Sequence, residues 1–400
     1  MSVRKRTWTN RKGEEKTAWV VDYVDITGKR RLKTFKLKKE AEAFAATAAV
    51  EVRQGIHVPD RETTTVEEAG HHWLRSGEAA GLERTTLDQR EQHLRLHIVP
   101  FIGSTKLSKV TVPFVRAFQD ELRNNGRSAA MIRRVTVSLG SILSDAQERG
   151  LVLRNAVHEM ARSRSRSGVE KRQKARLRYG VDIPTRDEIR AIIQAAEGRY
   201  RPLLITAIFT GLRSSELRGL RWQDVDLDNA ILHVRQRADR YHEIGMPKSE
   251  SGQRTVPLTP LVVNTLREWK LACPKGELQL VFPNGKGNIE NHQNIIKRGF
   301  IPTLIAAGVT TPTGEVDETG KPILTAKYTG LHALRHFYAS WCINRRADGG
   351  LELSAKAVQQ RMGHSSIVVT MDTYGHLFPA ADEATAMALA EQELLGINAT

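Results

Sequence analysis

The sequence predicts a multidomain protein that is mainly α-helical with small β-sheets. Three observations support this: the 400 residues exceed what one ordinary hydrophobic core serves, the periodicity changes from strand-like to helical near residue 38, and strand-like segments return after residue 184. We therefore expect four parts in chain order: an N-terminal three-stranded sheet plus helix (1–58), a helical domain (62–160), a basic linker (161–183) and a mixed α+β domain (184–400) with a C-terminal tail (378–400).

The N-terminal module has the pattern of a small sheet followed by a helix. Trp19, Val21 and Tyr23 recur at every second position, which predicts a strand, and residues 27–28 supply a turn. A second strand follows this turn, and a helix is expected over residues 38–53. The module is too small to contain an extended site of its own, so its surface is its informative part.

The chain is strongly basic, with 61 Lys and Arg against 45 Asp and Glu and a formal net charge of +16. This balance favours a polyanionic partner such as nucleic acid, although a merely soluble basic protein is the plainer alternative. A sheet that presents cations can lie in a DNA groove, whereas the alternative here is a solvated strand face. The candidate DNA contacts of the module are Arg4, Lys5, Arg6, Arg30, Arg31 and Lys33.

Residues 62–160 have helical signals throughout. Thr65 and Glu68 form a predicted capping box, Thr111 and Ser128 are predicted N-caps, and apolar residues recur at helical spacing behind each cap. These apolar stripes predict core packing. His71, His72, His93 and His97 have too few carboxylates or thiols near them in sequence to predict a metal site, and no metal is expected.

The segment from 161 to 183 alternates arginine with serine and is nearly free of apolar residues, which predicts a linker that does not fold alone. Its cations would suit a phosphate backbone, or the segment would be a flexible tether that touches nothing. The candidate DNA contacts here are Arg162, Arg164, Arg166 and Arg172.

The third domain begins at a second predicted capping box, Thr185 to Glu188. Gly211 is expected to end a buried helix, and Ser214 or Ser215 to cap the next one, which places Arg213 on a tight junction. An arginine there is either a functional group or a structural partner of Glu216.

Two predicted strands, 231–237 and 253–258, flank a polar turn that contains Lys248. A mobile lysine in or beside such a hairpin could reach a site as a proton donor. Residues 308–328, which are rich in Thr, Gly and Pro, predict an exposed loop or hairpin.

The last histidine-rich motifs contain side chains that could bind one anion. His332 and Arg335 share one face of a helix predicted over 331–344, whereas His336 is expected to point elsewhere, as packing or support. Gly363 suits a left-handed helix end from which His364 emerges, and a short helix then carries Tyr374. Two arginines could clamp a phosphate, and a tyrosine beside them is a candidate nucleophile.

Five motifs together resemble the signature of the tyrosine recombinases, the phage integrase family, over residues 184–378. They are Gly211-Leu-Arg-Ser-Ser-Glu-Leu217, Lys248, His332-Ala-Leu-Arg-His336, Met362-Gly-His-Ser365 and Asp372-Thr-Tyr-Gly-His376. The helical region resembles the family's core-binding (SAM-like) domain, and residues 1–58 resemble the arm-type DNA-binding domain of the larger integrases.

The resemblance implies a catalytic set of Arg213, Lys248, His332, Arg335, His364 and Tyr374, with Glu216 and His336 in support. It implies attack of the Tyr374 hydroxyl on a DNA phosphate, a 3′-phosphotyrosyl link, and rejoining to a partner strand without any cofactor. In this scheme the arginines stabilise the oxyanion, His364 donates to a phosphate oxygen, Lys248 protonates the leaving oxygen and His332 assists proton transfer at the tyrosine.

The function expected is therefore a site-specific DNA recombinase, the integrase of a phage, genomic island or conjugative element. A type IB topoisomerase-like strand transferase and a catalytically silent DNA-binding accessory protein are the alternatives. Expected partners are double-stranded DNA attachment sites, further copies of the chain in a tetrameric synapse, and an excisionase or DNA-bending host factor. The tail after residue 378 would dock on a neighbouring copy or pack on its own domain.

The two cysteines, Cys273 and Cys342, allow no disulfide framework and are typical of a reducing compartment. Neither a secretory signal nor an apolar run of membrane-spanning length is present. We therefore expect a cytoplasmic protein that associates with the nucleoid when it binds DNA.

Overall fold

A computed structural model describes residues 1–9, 13–25, 28–53, 63–166, 176–247, 249–378 and 383–396. The chain divides into two compact units, Met1–Arg172 and Gln173–Thr400. Helices predominate and the sheets are small and antiparallel, so the predicted fold class is confirmed.

The N-terminal module is a three-stranded antiparallel sheet with one helix, as predicted. Its elements are β1 (Ser2–Thr9), β2 (Glu15–Val24), β3 (Arg30–Phe35) and α1 (Lys38–Arg53), and the strand order is β1-β2-β3. Val21 and Tyr23 of β2 are buried together with Ala41 of α1, and Phe44 packs against them. The alternation of the sequence thus directs one sheet face toward the helix.

The rest of the first unit is a helical bundle. Its helices are α2 (Val66–Ala79), α3 (Arg84–His93), α4 (Val99–Ile102), α5 (Val112–Asn124), α6 (Ala129–Glu148) and α7 (Ala156–Arg166), with a π-helical turn at Leu94–Ile98. The predicted capping box is present, since Glu68 N–H donates to Thr65 Oγ1 and Thr65 N–H donates to Glu68 Oε2. Thr111 and Ser128 cap α5 and α6 as predicted.

The predicted linker 161–183 is too wide at both ends. Helix α7 continues to Arg166, because Ala156, Val157 and Met160 anchor it in the bundle core. At the other end, Ile183 is fully buried in the core of the second unit. Sequence composition missed the first of these ends because polar residues can continue a helix whose apolar anchor residues precede them. It missed the second because the burial of Ile183 depends on packing against distant parts of the chain.

The second unit combines helices with three small sheets. Its helices are α8 (Arg186–Ala195), α9 (Arg201–Thr210), α10 (Ser214–Gly219), α11 (Pro260–Ala272), α12 (His292–Asn294), α13 (Ile301–Ala306), α14 (His332–Ile343), α15 (Ala355–Met362), α16 (Ile367–Tyr374) and α17 (Glu383–Leu395). Its strands are β4 (Val225–Asp226), β5 (Ile231–Val234), β6 (Arg237–Ala238), β7 (Ile244–Gly245), β8 (Arg254–Pro257), β9 (Thr310–Val316) and β10 (Pro322–Ala326).

The strands form a β4-β5-β8 sheet and two hairpins, β6-β7 and β9-β10. The predicted strand 231–237 is wrong at its end, because β5 stops at Val234 and a separate hairpin intervenes before β8. The expected loop or hairpin 308–328 is a hairpin. Among the described residues no helix is both long and apolar enough to cross a membrane.

The junction after α9 requires a glycine. Gly211 has φ 61°, and a Cβ there would lie 2.4 Å from Cδ1 of the Tyr338 ring on α14. Because α9 and α14 approach this closely, the residues that follow Gly211 lie beside α14.

Candidate active site

Arg213 sits at the start of α10, but the predicted serine cap is wrong. The Arg213 backbone N–H donates to Glu216 Oε2 at 2.9 Å, so a carboxylate in the first turn caps the helix instead. This carboxylate also complements the positive end of the helix dipole. Ser214 is engaged elsewhere, with its Oγ 2.7 Å from His292 Nδ1.

Glu216 is a buried carboxylate shared by two arginines. Arg213 Nη1 donates to Oε1 at 2.7 Å, and Arg254 Nη2 donates to Oε2 at 2.8 Å. Burial alone would raise the pKa of Glu216, but the charges and hydrogen bonds of Arg254, followed by the charge of Arg213, lower it to about 2. Arg213 therefore pairs with Glu216, and this pairing is compatible with the prediction that Arg213 also binds a phosphate.

Three guanidinium groups hold the end of helix α15. Arg254 Nε donates to the Arg361 carbonyl at 2.8 Å, Arg335 Nη2 donates to the Met362 carbonyl, and Arg213 Nη2 donates to the Gly363 carbonyl at 3.0 Å. The last carbonyls of a helix lack intrahelical partners and carry the negative end of its dipole. We call this set of three arginines and three carbonyls the α15 clamp.

Arg254 is the member of the α15 clamp that sequence reasoning missed. Its side chain is 5% exposed and also donates to the Gly252 carbonyl. A Cβ on Gly363 would lie 2.8 Å from Arg254 Nη1, so the left-handed turn at Gly363 fits tightly over this arginine. The signal available in the sequence was the alternation of the strand, which places Arg254 on the same face as the buried Val256.

Of the two arginines that the sequence predicted to bind a phosphate, Arg335 is the more deeply buried. It is 3% exposed and donates to the Gly211 carbonyl as well as to Met362. Burial and then the charge of Arg213 lower its pKa to about 9. The guanidinium groups of Arg213 and Arg335 therefore repel each other, and a bound anion would stabilise both.

His364 follows the clamp directly and stacks on the tyrosine ring. Its ring centroid lies 6.2 Å from that of Tyr374 with 8° between the planes, and its Nδ1 lies 2.9 Å from Thr370 Oγ1. Burial, followed by the charges of Arg335 and Arg213, lowers the pKa of His364 to about 4. A neutral imidazole that bonds through Nδ1 leaves Nε2 for another partner.

Tyr374 ends helix α16 as predicted and is 2% exposed. Burial raises the pKa of its hydroxyl to about 12, although Arg335 and Arg213 oppose this rise. His336, which was predicted to serve as packing or support, has its Nδ1 2.8 Å from Tyr374 Oη. Positions i and i+4 of a helix share a face, so His336 lies beside His332 on α14.

His332 faces a different space from His336. It lines a cavity of about 250 Å³ together with Arg213 and Arg335, and its ring lies 4.6 Å from that of His336 at 85°. Ser214 and His292 line the same cavity, and neither was predicted as part of the site. The cavity is thus lined by cationic groups that could stabilise an oxyanion.

Lys248 lies outside the described residues. Its neighbours are described on both sides: the β6-β7 hairpin precedes it, and the Glu250–Gly252 turn and β8 follow it. Arg254, the first residue of β8, belongs to the α15 clamp, so this strand begins near the other site residues. The role of Lys248 stays a prediction.

The predicted DNA contacts of the N-terminal module differ in their surroundings. Arg4 and Arg30 both bond to Asp22, and Arg31 bonds to the buried Asp25, whereas Lys33 lies over the Phe44 ring. Lys5 and Arg6 are exposed on β1. Of the basic linker candidates, Arg172 and the side chains of Arg162, Arg164 and Arg166 lie outside the described part of the chain.

The described residues hold no group of three or more His, Cys, Asp or Glu side chains placed to bind a metal ion. In the helical bundle, His93 Nδ1 instead bonds to Ser138 Oγ at 2.8 Å. Burial lowers the pKa of both His93 and His97. These histidines belong to the bundle core.

Arg213, Arg335 and His332 line one cavity, and the neighbouring His336 and His364 both contact Tyr374. This arrangement suits the class of enzymes that transfer phosphoryl groups through a tyrosine nucleophile. Comparison with known proteins specifies this class. The model of the phage integrase family matches residues 184–380, and that of the phage integrase N-terminal SAM-like domain matches residues 65–123. The chain belongs to the phage integrase family and is a tyrosine recombinase, an enzyme that cleaves and rejoins DNA.

Two relatives align over most of their length. The chain is 26% identical to a tyrosine recombinase XerC-like protein of Caldanaerobacter subterraneus subsp. tengcongensis over 89% of this chain and 90% of that protein. It is 25% identical to the integrase of Mycobacterium phage D29 over the full length of both. Homologues of the chain are thus recombinases and integrases of phages and mobile elements.

Solved structures agree in fold. The integrase of transposon Tn1549 in complex with a circular intermediate DNA matches with a TM-score of 0.61 and 19% identity, over 82% of this chain and 99% of that one. A lambda integrase tetramer bound to a Holliday junction matches with a TM-score of 0.53 and 19% identity, over 90% and 95%. At this identity, the likeness supports the fold.

Proposed function

We propose that this chain is the integrase of a mobile element and that Tyr374 attacks a scissile DNA phosphate bound in the cavity between Arg213, His332 and Arg335. The observation that carries the proposal is the α15 clamp: Arg213 and Arg335 are fixed at one helix end, and His364, which follows that end, stacks on the Tyr374 ring. Pre-organised donors of this kind stabilise developing charge without reorganising during the reaction.

Binding of the phosphate follows from charge. Arg213 and Arg335 already bond to carbonyls, and each guanidinium has five N–H donors, so both retain donors for phosphate oxygens. His364 would donate its Nε2–H to a non-bridging oxygen, because its Nδ1 is held at Thr370. The trigonal bipyramidal transition state would then be surrounded by donors.

The chemical step conserves bond energy. The Tyr374 Oη–P bond forms while the bond to the leaving 5′-oxygen breaks, which leaves a 3′-phosphotyrosyl link and a free 5′-hydroxyl. Lys248 would give the leaving oxygen its proton. A partner strand's 5′-hydroxyl then attacks the link and releases Tyr374, so the scheme needs no nucleotide cofactor.

The first unit would bind DNA around the cut. The helical bundle, part of which matches the SAM-like family model, would act as the core-binding domain, and the β1-β2-β3 sheet would contact separate arm sites. Arg4 and Arg30 keep 58% and 69% of their side chains exposed despite the bond to Asp22, so they can still reach phosphates. An arm-binding module favours a recombinase over a topoisomerase-like enzyme.

Partners follow from the same scheme. Exchange of two duplexes needs four active sites, so we expect a tetramer of this chain on DNA. An excisionase or a host DNA-bending protein would set the direction of the reaction. The enzyme would act in the cytoplasm, on nucleoid DNA.

The test is a search for covalent protein–DNA adducts on denaturing gels. The DNA would be nicked duplexes from the flanks of the element, designed so that the strand beyond the cut diffuses away and traps the intermediate. We expect an adduct with the wild type and none with Tyr374→Phe, although both bind the DNA equally. An adduct that persists in Tyr374→Phe would reject the assignment, whereas equal binding without any adduct would favour a silent accessory protein.

A further inference from the structure

We propose that His336 is the group that accepts the proton of the Tyr374 hydroxyl as the phosphotyrosyl bond forms. This inference rests on the proposed function, since it assumes that Tyr374 is the nucleophile. It moves the proton acceptor from His332, where the sequence motifs had suggested it, to the next turn of the same helix.

The first support is the geometry at the hydroxyl oxygen. His336 Nδ1 lies 2.8 Å from Tyr374 Oη, within the range that a proton acceptor needs, and the two rings meet edge to face with centroids 5.7 Å apart. His336 is on α14 and Tyr374 on α16; Tyr374 belongs to the core around Tyr338 and Met362, and His336 is half-buried beside it. Packing of these helices therefore holds the pair together before DNA arrives.

The second support is the protonation state of the two groups. Burial raises the pKa of Tyr374 to about 12, so the phenol keeps its proton at neutral pH. Burial, His332 and Arg335 lower the pKa of His336 to about 4, so the imidazole is neutral. Under the proposal, His336 adopts the tautomer with its proton on Nε2, in which the phenol donates and Nδ1 accepts.

The third support is the change that the substrate brings. His332 and Arg335 on its own helix disfavour a charged His336, whereas Asp182, from the segment that precedes α8, favours it. A phosphodiester in the cavity would add a negative charge near Arg335 and offset part of the cationic field. His336 would then become a stronger base at the stage when the proton must leave Tyr374.

The proton balance is complete. As the Oη–P bond forms, the O–H bond of Tyr374 breaks and its proton moves to His336 Nδ1, while the leaving 5′-oxygen takes a proton from the acid, proposed as Lys248. On rejoining, the attacking 5′-hydroxyl gives its proton to the acid that lost one during cleavage, and His336 returns its proton to Tyr374 Oη as the Oη–P bond breaks. His332 lines the phosphate cavity and would bond to the phosphate instead.

The experiment measures the rate of adduct formation against pH for the full-length wild type, His336→Asn and His332→Asn, with nicked duplex DNA. Asparagine can still bond to the hydroxyl but cannot take its proton. At pH 7 we expect the His336→Asn rate to fall by about 100- to 10,000-fold. Above pH 7 the wild-type rate should be flat, whereas the His336→Asn rate should rise about tenfold per pH unit, because it depends on the phenolate.

A merely structural role would lower the His336→Asn rate by the same factor at every pH, and that result would overturn the proposal. So would an unchanged rate, or a steep pH dependence in His332→Asn instead. Unfolding temperature and DNA affinity of each variant serve as checks. If His336→Asn fails these checks, His336→Gln is measured in its place, together with the wild type at acidic pH. The wild-type rate should fall there, because His336 takes a proton. A wild-type rate that stays flat at acidic pH would overturn the proposal.

A second substrate separates the proton acceptor from the proton donor. DNA with sulfur in place of the leaving 5′-oxygen needs no acid, because a thiolate leaves without protonation. Such DNA should restore adduct formation in Lys248→Ala but leave the His336→Asn defect in place, and restoration in His336→Asn would contradict the assignment. Absence of any adduct with the wild type would instead reject the proposed function itself.

Discussion

The arginines of this chain are held in two contrasting ways. In the second unit, Arg335 and Arg254 are almost fully buried, and each donates to backbone carbonyls at the end of α15. In the N-terminal module, Arg4 and Arg30 remain largely exposed and share the single carboxylate of Asp22. Burial with fixed acceptors suits chemistry, which needs positions accurate to fractions of an ångström, whereas exposed cations suit a polyanion whose contacts are many and weak.

The contrast teaches that a guanidinium can be oriented without being neutralised. Backbone carbonyls orient Arg335 but carry no net charge, so the cation still awaits an anion, as the lowering of its pKa to about 9 reflects. Surface pairs such as Arg30 with Asp22 contribute little to stability, since water screens them. Substitutions in the two regions should therefore differ in what they change as well as in how much.

Among substitutions of the arginines, the largest effect is expected for Arg335→Lys. Lysine keeps the charge but cannot bond at once to Gly211, Met362 and a phosphate, so adduct formation should slow by about 100- to 1,000-fold. DNA affinity should change little, because it depends on many contacts. Single-turnover cleavage assays and binding titrations measure the two quantities, and equal losses in both would contradict a role confined to the transition state.

A smaller loss is expected for Arg254→Lys, which should slow adduct formation by up to about 100-fold through displacement of Glu216 and α15. The matched control is Arg218→Lys. Arg218 is also buried, but it bonds to the Glu290 and Ala238 carbonyls and has no hydrogen bond to α15. Equal slowing in both variants would show that any buried arginine matters and that the α15 clamp has no special role.

The next prediction concerns acid stability. The pKa of Glu216 is lowered to about 2 in the folded chain from 4.5, so the stabilisation is complete above pH 4.5 and is lost as the pH falls toward 2. Its size is on the order of 3 kcal/mol. Thermal unfolding of the wild type and of Glu216→Gln should therefore converge toward pH 2, whereas Asp187→Asn, at an exposed carboxylate, should follow the wild type throughout. Parallel curves for Glu216→Gln would contradict this.

The smallest effect is expected in the N-terminal module. Arg6→Gln should weaken DNA binding a few-fold and reduce the slope of log affinity against log salt by about 0.9, the value for one phosphate contact. Adduct formation on saturating DNA that carries the core site alone should be unchanged. A loss of cleavage under those conditions would mean that the module contributes more than affinity.

Much of the fold was predictable because its signals are local. Capping boxes at Thr65 and Thr185 and the left-handed glycines at 211 and 363 each mark an element end within a few residues. The ends of the linker were not predictable, because whether residues near 161 or 183 are ordered depends on packing against distant parts of the chain. The break after Val234 has the same cause.

For the site, sequence motifs named Arg213, His332 and Arg335 of the cavity lining but missed Ser214 and His292. They also missed Arg254 of the α15 clamp. Arg254 and Glu216 meet across 38 positions, and no periodicity reports such a contact. The contact of His336 with Tyr374 was not predictable, because helical spacing fixes the face of His336 but not which helix packs there. Local pattern thus predicts the elements of the site, and tertiary packing decides its hydrogen bonds.

The most direct test of the central claim is mass spectrometry of the trapped adduct after protease and nuclease digestion. We predict one modified peptide, with Tyr374 joined to a nucleotide through a 3′-phosphate. A link at another side chain, such as Tyr338 or Tyr328, or through a 5′-phosphate, would contradict the account.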